Sequence, residues 1–205
     1  MKIMKPKIVY LDEISLAELS ENEYHNCLIK EQEDNVSIIN QTIDTCKFVN
    51  IIFNQNNFFS NSVIDVIFEN CDLSNISFDD EYLTRVNFIN CKMIGTSFIN
   101  TKMDNVIINN CLLNYANFSY TDINCMKILD TNMSDARFMN VKIRNLEMYH
   151  DNLSDMEIID TNMNKIDLSS CEIQNIKFDN KSMKGIIISS SDAVYLVANL
   201  GVTLK

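Results

Sequence analysis

The stretch IFENCDLSNISFDDEYLTRVNFINCKMIGTSFINTKMDNVIINNCLL, residues 67–113, carries Asn-Cys three times, at Cys71, Cys91 and Cys111. Each cysteine follows the last by twenty residues. Three evenly spaced thiols fit a metal site, a disulfide framework, or a scaffold that returns to the same place every twenty residues. The residues between them decide.

Every fifth residue from Ile38 to Ile188 is Phe, Ile, Leu, Met or Val, thirty-one positions without an exception or a shift of register. Ten of the eleven phenylalanines fall in this class. A period of five matches neither an amphipathic helix at 3.6 nor a strand at 2. Two residues before each apolar centre stands a usually small or aliphatic residue, such as Cys71, Ile76, Val86, Thr96 or Ala116. Two residues after it, Asn or Asp fills eighteen of the thirty-one places. These residues form turns because their short polar side chains bond nearby backbone and tolerate left-handed conformations. Each unit of five reads as a short strand plus a turn, with two side chains inward.

The units CDLSN (71–75), ANFSY (116–120), TDINC (121–125) and IDLSS (166–170) show the pattern best, and it resembles the pentapeptide repeat family, whose motif is A(D/N)LXX. The resemblance covers residues 36–190. It implies an all-β chain, a right-handed quadrilateral parallel β-helix in which four units make one coil of twenty residues. Cys71, Cys91 and Cys111 then stack on one inner face, with Cys171 three coils further on. A metal site would add His or a CxxC pair, and none accompanies these thiols. They read as a structural ladder of small residues in a narrow interior. Glu81, Asp151 and Lys181 stand at inward positions that usually hold small residues, so local bulges are expected there.

Composition bounds the function. At 205 residues and 46% hydrophobic, the chain suits one domain with a full core. Its formal charge of −11 disfavours gripping nucleic-acid phosphates or anionic membranes, which need basic surface. The opening MKIMKPKIVYLDEISL lacks the apolar core of a signal peptide, and no segment has eighteen uninterrupted apolar residues. Seven cysteines fit complete pairing poorly. A cytoplasmic protein with reduced thiols is expected. The two histidines, His25 and His150, have no Ser or Cys constellation near them, and an uninterrupted repeat leaves no wall for a pocket. Catalysis is not expected, nor any cofactor or metal.

Sorting by twenty defines four walls. Wall 1, centred on Ile38, Phe58, Phe78, Phe98, Phe118, Phe138, Ile158 and Phe178, is a phenylalanine column. Wall 2, centred on Ile43 through Met183, is aliphatic and net basic by two. Wall 3 runs from Phe48 to Ile188 and wall 4 from Phe53 to Ile173. Walls 4 and 1 adjoin and sum to −4 and −3, an acidic side carrying Asp72, Asp79, Asp80, Asp135, Asp155, Glu157, Asp160 and Glu172.

At the far end, Ser191 is expected to cap a short α-helix, with Asp192 at its positive end and Gly201 closing it. Ala193, Leu196, Val197 and Leu200 form one apolar stripe at helical spacing, and Val202 to Leu204 reads as a terminal strand. Lys184-Gly185-Ile186, Ala193, Leu196, Leu200-Gly201 and the aliphatic tail resemble the C-terminus of the Qnr and MfpA branch of the family. That branch protects DNA gyrase from fluoroquinolones. The resemblance implies a homodimer joined through Ala193, Leu196, Val197 and Leu200. It implies a DNA-mimicking acidic rod whose partners are DNA gyrase and topoisomerase IV. The acidic strip above is the candidate contact. Enterobacterial Qnr proteins carry projecting loops in the repeat, and this chain has none. The organisation expected is a cap and degenerate first coil at 1–35, the β-helix at 36–190 and a dimerisation segment at 191–205. The alternative is a generic pentapeptide-repeat interaction scaffold with another partner.

Overall fold

A computed structural model describes residues 2–14, 23–30 and 36–202, with backbone alone at 23, 36–41, 54–61 and 198–199. Thr203 and Leu204 of the expected terminal strand, and the side chains of Ile38 and Phe58 in wall 1, lie outside the described part. The chain is a parallel β-solenoid of about seven turns with one short C-terminal helix.

Residues stack at intervals of twenty. Val63 pairs with Leu83, Leu83 with Met103 and Met103 with Ile123 along wall 2. Phe68, Phe88, Ile108 and Ile128 do the same along wall 3. Single strands run through both walls and round their shared corner, as in Tyr82–Ile89, Lys102–Asn109 and Asp122–Leu129. Walls 4 and 1 are held mainly by isolated bridges, Asp72 to Lys92 to Leu112 to Asn132, and Ser77 to Ser97 to Asn117 to Arg137.

The turn positions explain the corners. The residue two after the centre takes a positive φ in coil after coil, from Asn50 at 58° to Asn175 at 56°. Arg85, Tyr115, Tyr120, His150 and Lys165 take it as well, at 54°, 61°, 63°, 56° and 67°. These residues gain nothing there locally, and each costs about 1–2 kcal/mol in a left-handed conformation. The stacked coils above and below impose the corner.

The centres make the core. Phe78, Phe98 and Phe118 stack in wall 1 with centroids 5.3 and 4.7 Å apart. A second stack, Phe48, Phe68 and Phe88, rises in wall 3 at 5.2 Å per step. The two columns meet edge-on across the interior, Phe78 against Phe88 at 5.9 Å, which leaves no lumen between them.

Several irregularities depart from the repeat, among them register shifts between Val36 and Thr42 against the next coil. Tyr24 and Ile29 are buried as earlier centres, but Ile29 pairs with Phe48, nineteen residues on, and Asn26 takes the left-handed corner one place late. The solenoid thus begins before the in-phase repeat does. At Cys125 the ladder slips, with Asp104 facing Cys125. At Lys181 the expected bulge forms: Lys181 turns outward to pair with Asp160, and Ser182 takes the inner place and accepts the Thr161 N–H. No bulge forms at the other two sites. Glu81 and Asp151 are buried while the register of twenty continues through both, because the backbone accepts these side chains inward without opening.

The helix, Ala193–Asn199, follows a single 3-10 turn at Ser190–Asp192. The residue preceding that turn is Ser189, whose hydroxyl donates to Asp192 Oδ2 at 2.6 Å, so Ser191 does not hold the capping place expected of it. Gly201 at φ 72° ends the segment as expected. None of the described helices is long and apolar enough to cross a membrane.

Candidate interaction surface

The cysteine ladder is bonded to the backbone of neighbouring coils. Each thiol donates to a carbonyl twenty-three residues earlier: Cys71 to Phe48, Cys91 to Phe68 and Cys111 to Phe88, at 3.4–3.6 Å. Thr96, Thr101 and Thr121 make the same bond to Leu73, Phe78 and Phe98 at 2.8–2.9 Å. The side chain at this position also accepts the N–H of its counterpart one coil back, as Cys111 Sγ does from Cys91 and Thr131 Oγ1 from Cys111. The position therefore calls for a small group that both donates and accepts, and Cys and Thr meet that need alike. Neighbouring Cys91 and then burial push the Cys71 and Cys111 thiols up, and burial pushes Cys171 up to about 11. Cys71, Cys91 and Cys111 are all engaged with backbone carbonyls. Among the described residues, no group of three or more His, Cys, Asp or Glu is placed to hold a metal ion.

The acidic side divides into paired and open carboxylates. Asp72 pairs with Lys92 at 2.9 Å, Asp160 with Lys181 at 3.3 Å, and Glu157 lies between Arg137 and Lys177. Asp79 is taken up by the ladder, accepting from Ser97 Oγ and the Ile99 N–H. Asp80 accepts an amide bond from Asn100. Asp135, Asp155 and Glu172 form no ion pair within the described residues. Asp135 and Asp155 stand one above the other at the corner between walls 4 and 1, both with φ 60°. Asp151, which adds to the wall 4 sum, is fully buried and contributes nothing to the surface.

Wall 2 is less basic at its surface than its sum. Arg85 forks onto Asp65 with both bonds at 2.6 Å, and Arg144 pairs with Asp122 at 3.1 Å. Burial alone would raise the Asp65 carboxyl, but the Arg85 guanidinium and the Lys7 N–H hold it below the usual range. That N–H belongs to a feature the repeat pattern does not reveal. Residues 2–10 run as a strap up the corner between walls 2 and 3. Lys2 O lies 3.9 Å from Cys125 Sγ, Met4 N donates to Asn105 Oδ1, and Lys7 N donates to Asp65 Oδ1. The only hint in the sequence is the non-repeating corner series Asp65, Arg85, Asn105, Cys125. The next corner, between walls 3 and 4, carries an asparagine ladder in which Asn110 donates to Asn90 and Asn90 to Asn70.

At the C-terminal end, Leu196 and Tyr195 pack against the last coil with Ile186 and Ile188. Val197 is half-buried, Ala193 is exposed, and Leu200 is 56% exposed. Of the stripe expected at a dimer contact, Leu196 thus faces the solenoid while Ala193 and Leu200 face outward. A shallow groove of about 410 Å³ is lined by Lys127, Leu146, Glu147, Tyr149, Lys165 and Asp167, with Lys127 and Glu147 paired at 2.6 Å.

Residues 61–138 match the family model described as a pentapeptide repeat region. No curated protein matches the chain. Among solved structures, full-length QnrB1, described as a plasmid-mediated fluoroquinolone resistance protein, is 18% identical with a TM-score of 0.42, over 95% of this chain and 98% of that one. A trypsin-treated QnrB1 variant is 17% identical with a TM-score of 0.40, over 90% and 95%. The pentapeptide repeat protein Rfr23 from the cyanobacterium Cyanothece 51142 is 17% identical with a TM-score of 0.34, over 60% and 91%.

Proposed function

Starting from the premise that this chain is a pentapeptide repeat protein, we propose that it binds DNA gyrase and topoisomerase IV as an acidic rod and shields them from fluoroquinolones. The observation that carries the reading is the corner between walls 4 and 1. There Asp135 and Asp155 project on successive coils without ion pairs among the described residues, with Glu172 nearby on wall 4. A type II topoisomerase recognises duplex DNA through its phosphates, so an outward row of carboxylates on a stiff rod offers it a comparable surface. The tail resemblance to the Qnr and MfpA branch supports the same reading. Protection of this kind needs no covalent chemistry, only occupation of the DNA-binding surface.

The test is gyrase supercoiling in the presence of ciprofloxacin, with and without the purified protein. Restored supercoiling is the expected result. Unchanged inhibition at protein concentrations well above that of the enzyme would overturn the proposal and leave a scaffold for another partner.

A further inference from the structure

We propose that Cys27 and Cys46 form a reversible disulfide that clamps the first coil onto the solenoid under oxidising conditions. Their sulfurs lie 2.8 Å apart, and both residues are buried, at 1% and 0% exposure. The backbone register beside them, Leu28 to Lys47, places the two on neighbouring parallel strands. Such strands lie roughly 4.8 Å apart, within the Cα range that a disulfide spans.

The close sulfur contact sets this pair apart from the other stacked thiols. Cys71, Cys91 and Cys111 direct their S–H groups at backbone carbonyls of the preceding coil. For Cys27 the nearest sulfur partner is Cys46 itself. Contact with Cys46 holds the Cys27 thiol below its ordinary range while the Cys46 S–H is directed at the Asp44 carbonyl at 3.2 Å, an arrangement in which Cys27 attacks first and Cys46 resolves. Position in the fold supplies access. Cys27 lies near the N-terminal end of the described solenoid, out of phase with the rest, and on its outer side the short strand Asp12–Glu13 is its partner among the described residues. Terminal elements open locally at low cost, whereas coils in the middle of a solenoid open only with their neighbours.

With glutathione disulfide as oxidant, the Cys27 thiolate attacks one of its sulfurs, the glutathione S–S bond breaks, and one glutathione thiolate leaves. The Cys46 thiolate then attacks the Cys27 sulfur of the mixed disulfide and expels the second. Two protein thiols lose two electrons, glutathione disulfide gains them, and the two protons end on the two glutathiones.

The full-length native protein would be incubated with glutathione disulfide, unfolded, alkylated and digested. Peptide mass spectrometry should find one linkage, Cys27 to Cys46, with five of the seven thiols alkylated. Reduced glutathione in excess should restore all seven. Amide exchange at Ile29 should slow by about tenfold on oxidation, because opening the coil now stretches a covalent bridge. Cys46→Ala should abolish the linkage and the slowing, while circular dichroism reports that the solenoid persists. Seven alkylated thiols after oxidation, a stable glutathione adduct on Cys27 in the parent, or a linkage among Cys71, Cys91 and Cys111 would each overturn the proposal. So would a Cys27–Cys46 bridge that leaves exchange at Ile29 unchanged.

Discussion

Asp151 occupies a place that Cys111 holds two coils earlier and Thr131 one coil earlier. Its carboxylate accepts N–H bonds from Thr131 and Tyr149, yet burial outweighs them and raises its pKa to about 6. A carboxyl whose folded pKa lies above its unfolded value stabilises the fold below the unfolded pKa, and that contribution is lost as pH rises through the folded one. The window here runs from about 4 to about 6. At neutral pH the charged form costs roughly 3 kcal/mol, the free energy that corresponds to a rise to about 6. Asp151→Thr would restore the hydroxyl that the ladder uses elsewhere, at the loss of the bond to Tyr149. We expect a net gain of about 1–2 kcal/mol at neutral pH. Urea unfolding near pH 7.5 and near pH 4 should show the gain shrinking in acid. A gain equal at both pH values would mean the charge is not the cause.

At the scale of elements, two attachments sit outside the repeat. The strap is held by Asp65, which serves the Arg85 guanidinium and the Lys7 N–H together. Asp65→Ala strands a largely covered Arg85 and should cost roughly 2–3 kcal/mol. Adding Arg85→Ala should recover part of that loss, since the double variant removes the charge that Asp65→Ala leaves without its partner. Denaturation midpoints of the parent, the single and the double variant test the ordering, and a double variant weaker than Asp65→Ala would refute it. The terminal helix divides its apolar residues between the solenoid and the outside. Because Leu196 packs on the last coil, a change there would unsettle the cap as well as any contact beyond it. Leu200 is exposed, so Leu200→Asp should leave the monomer folded and abolish the proposed dimer by burying a charge in the contact. Light scattering decides it: a variant still eluting as a dimer would place the contact elsewhere.

For the whole molecule, charge arithmetic constrains the proposed mimicry. Seven to eight coils at about 4.8 Å give a rod of roughly 37 Å. DNA of that length carries about 22 phosphates, at one charge per 1.7 Å. The chain carries a net −11, and ion pairs neutralise Asp72, Glu157 and Asp160 locally. Placement must then matter more than total charge. Asp135→Lys with Asp155→Lys should weaken binding to gyrase about tenfold or more, whereas Lys142→Glu with Lys165→Glu should not. All four residues are at least partly exposed, so the coil should survive both pairs. Binding by the parent should also fall with salt, because exposed charges are screened beyond about 8 Å at physiological ionic strength. Equal rescue of quinolone-inhibited supercoiling by both double variants would remove this corner as the contact.

The period of five from Ile38 to Ile188 marked a repeat of short strands and turns, and its resemblance to the pentapeptide repeat family implied the solenoid, its four walls and the stacking of Cys71, Cys91 and Cys111. A local rule reaches that far because each unit meets only its neighbours at a fixed interval, so one repeat length sets which positions stack. The same rule could not tell which carboxylates remain open, since Asp72 and Lys92, or Glu157 and Arg137, become partners only when coils stack. It could not anticipate that Glu81 and Asp151 enter the interior without a bulge while Lys181 yields its place to Ser182. Nor could it find the strap on Asp65 and Asn105, or the thiols of Cys27 and Cys46 side by side across a coil of nineteen. Those contacts join segments that break the period, and for them only the folded chain sets which groups meet.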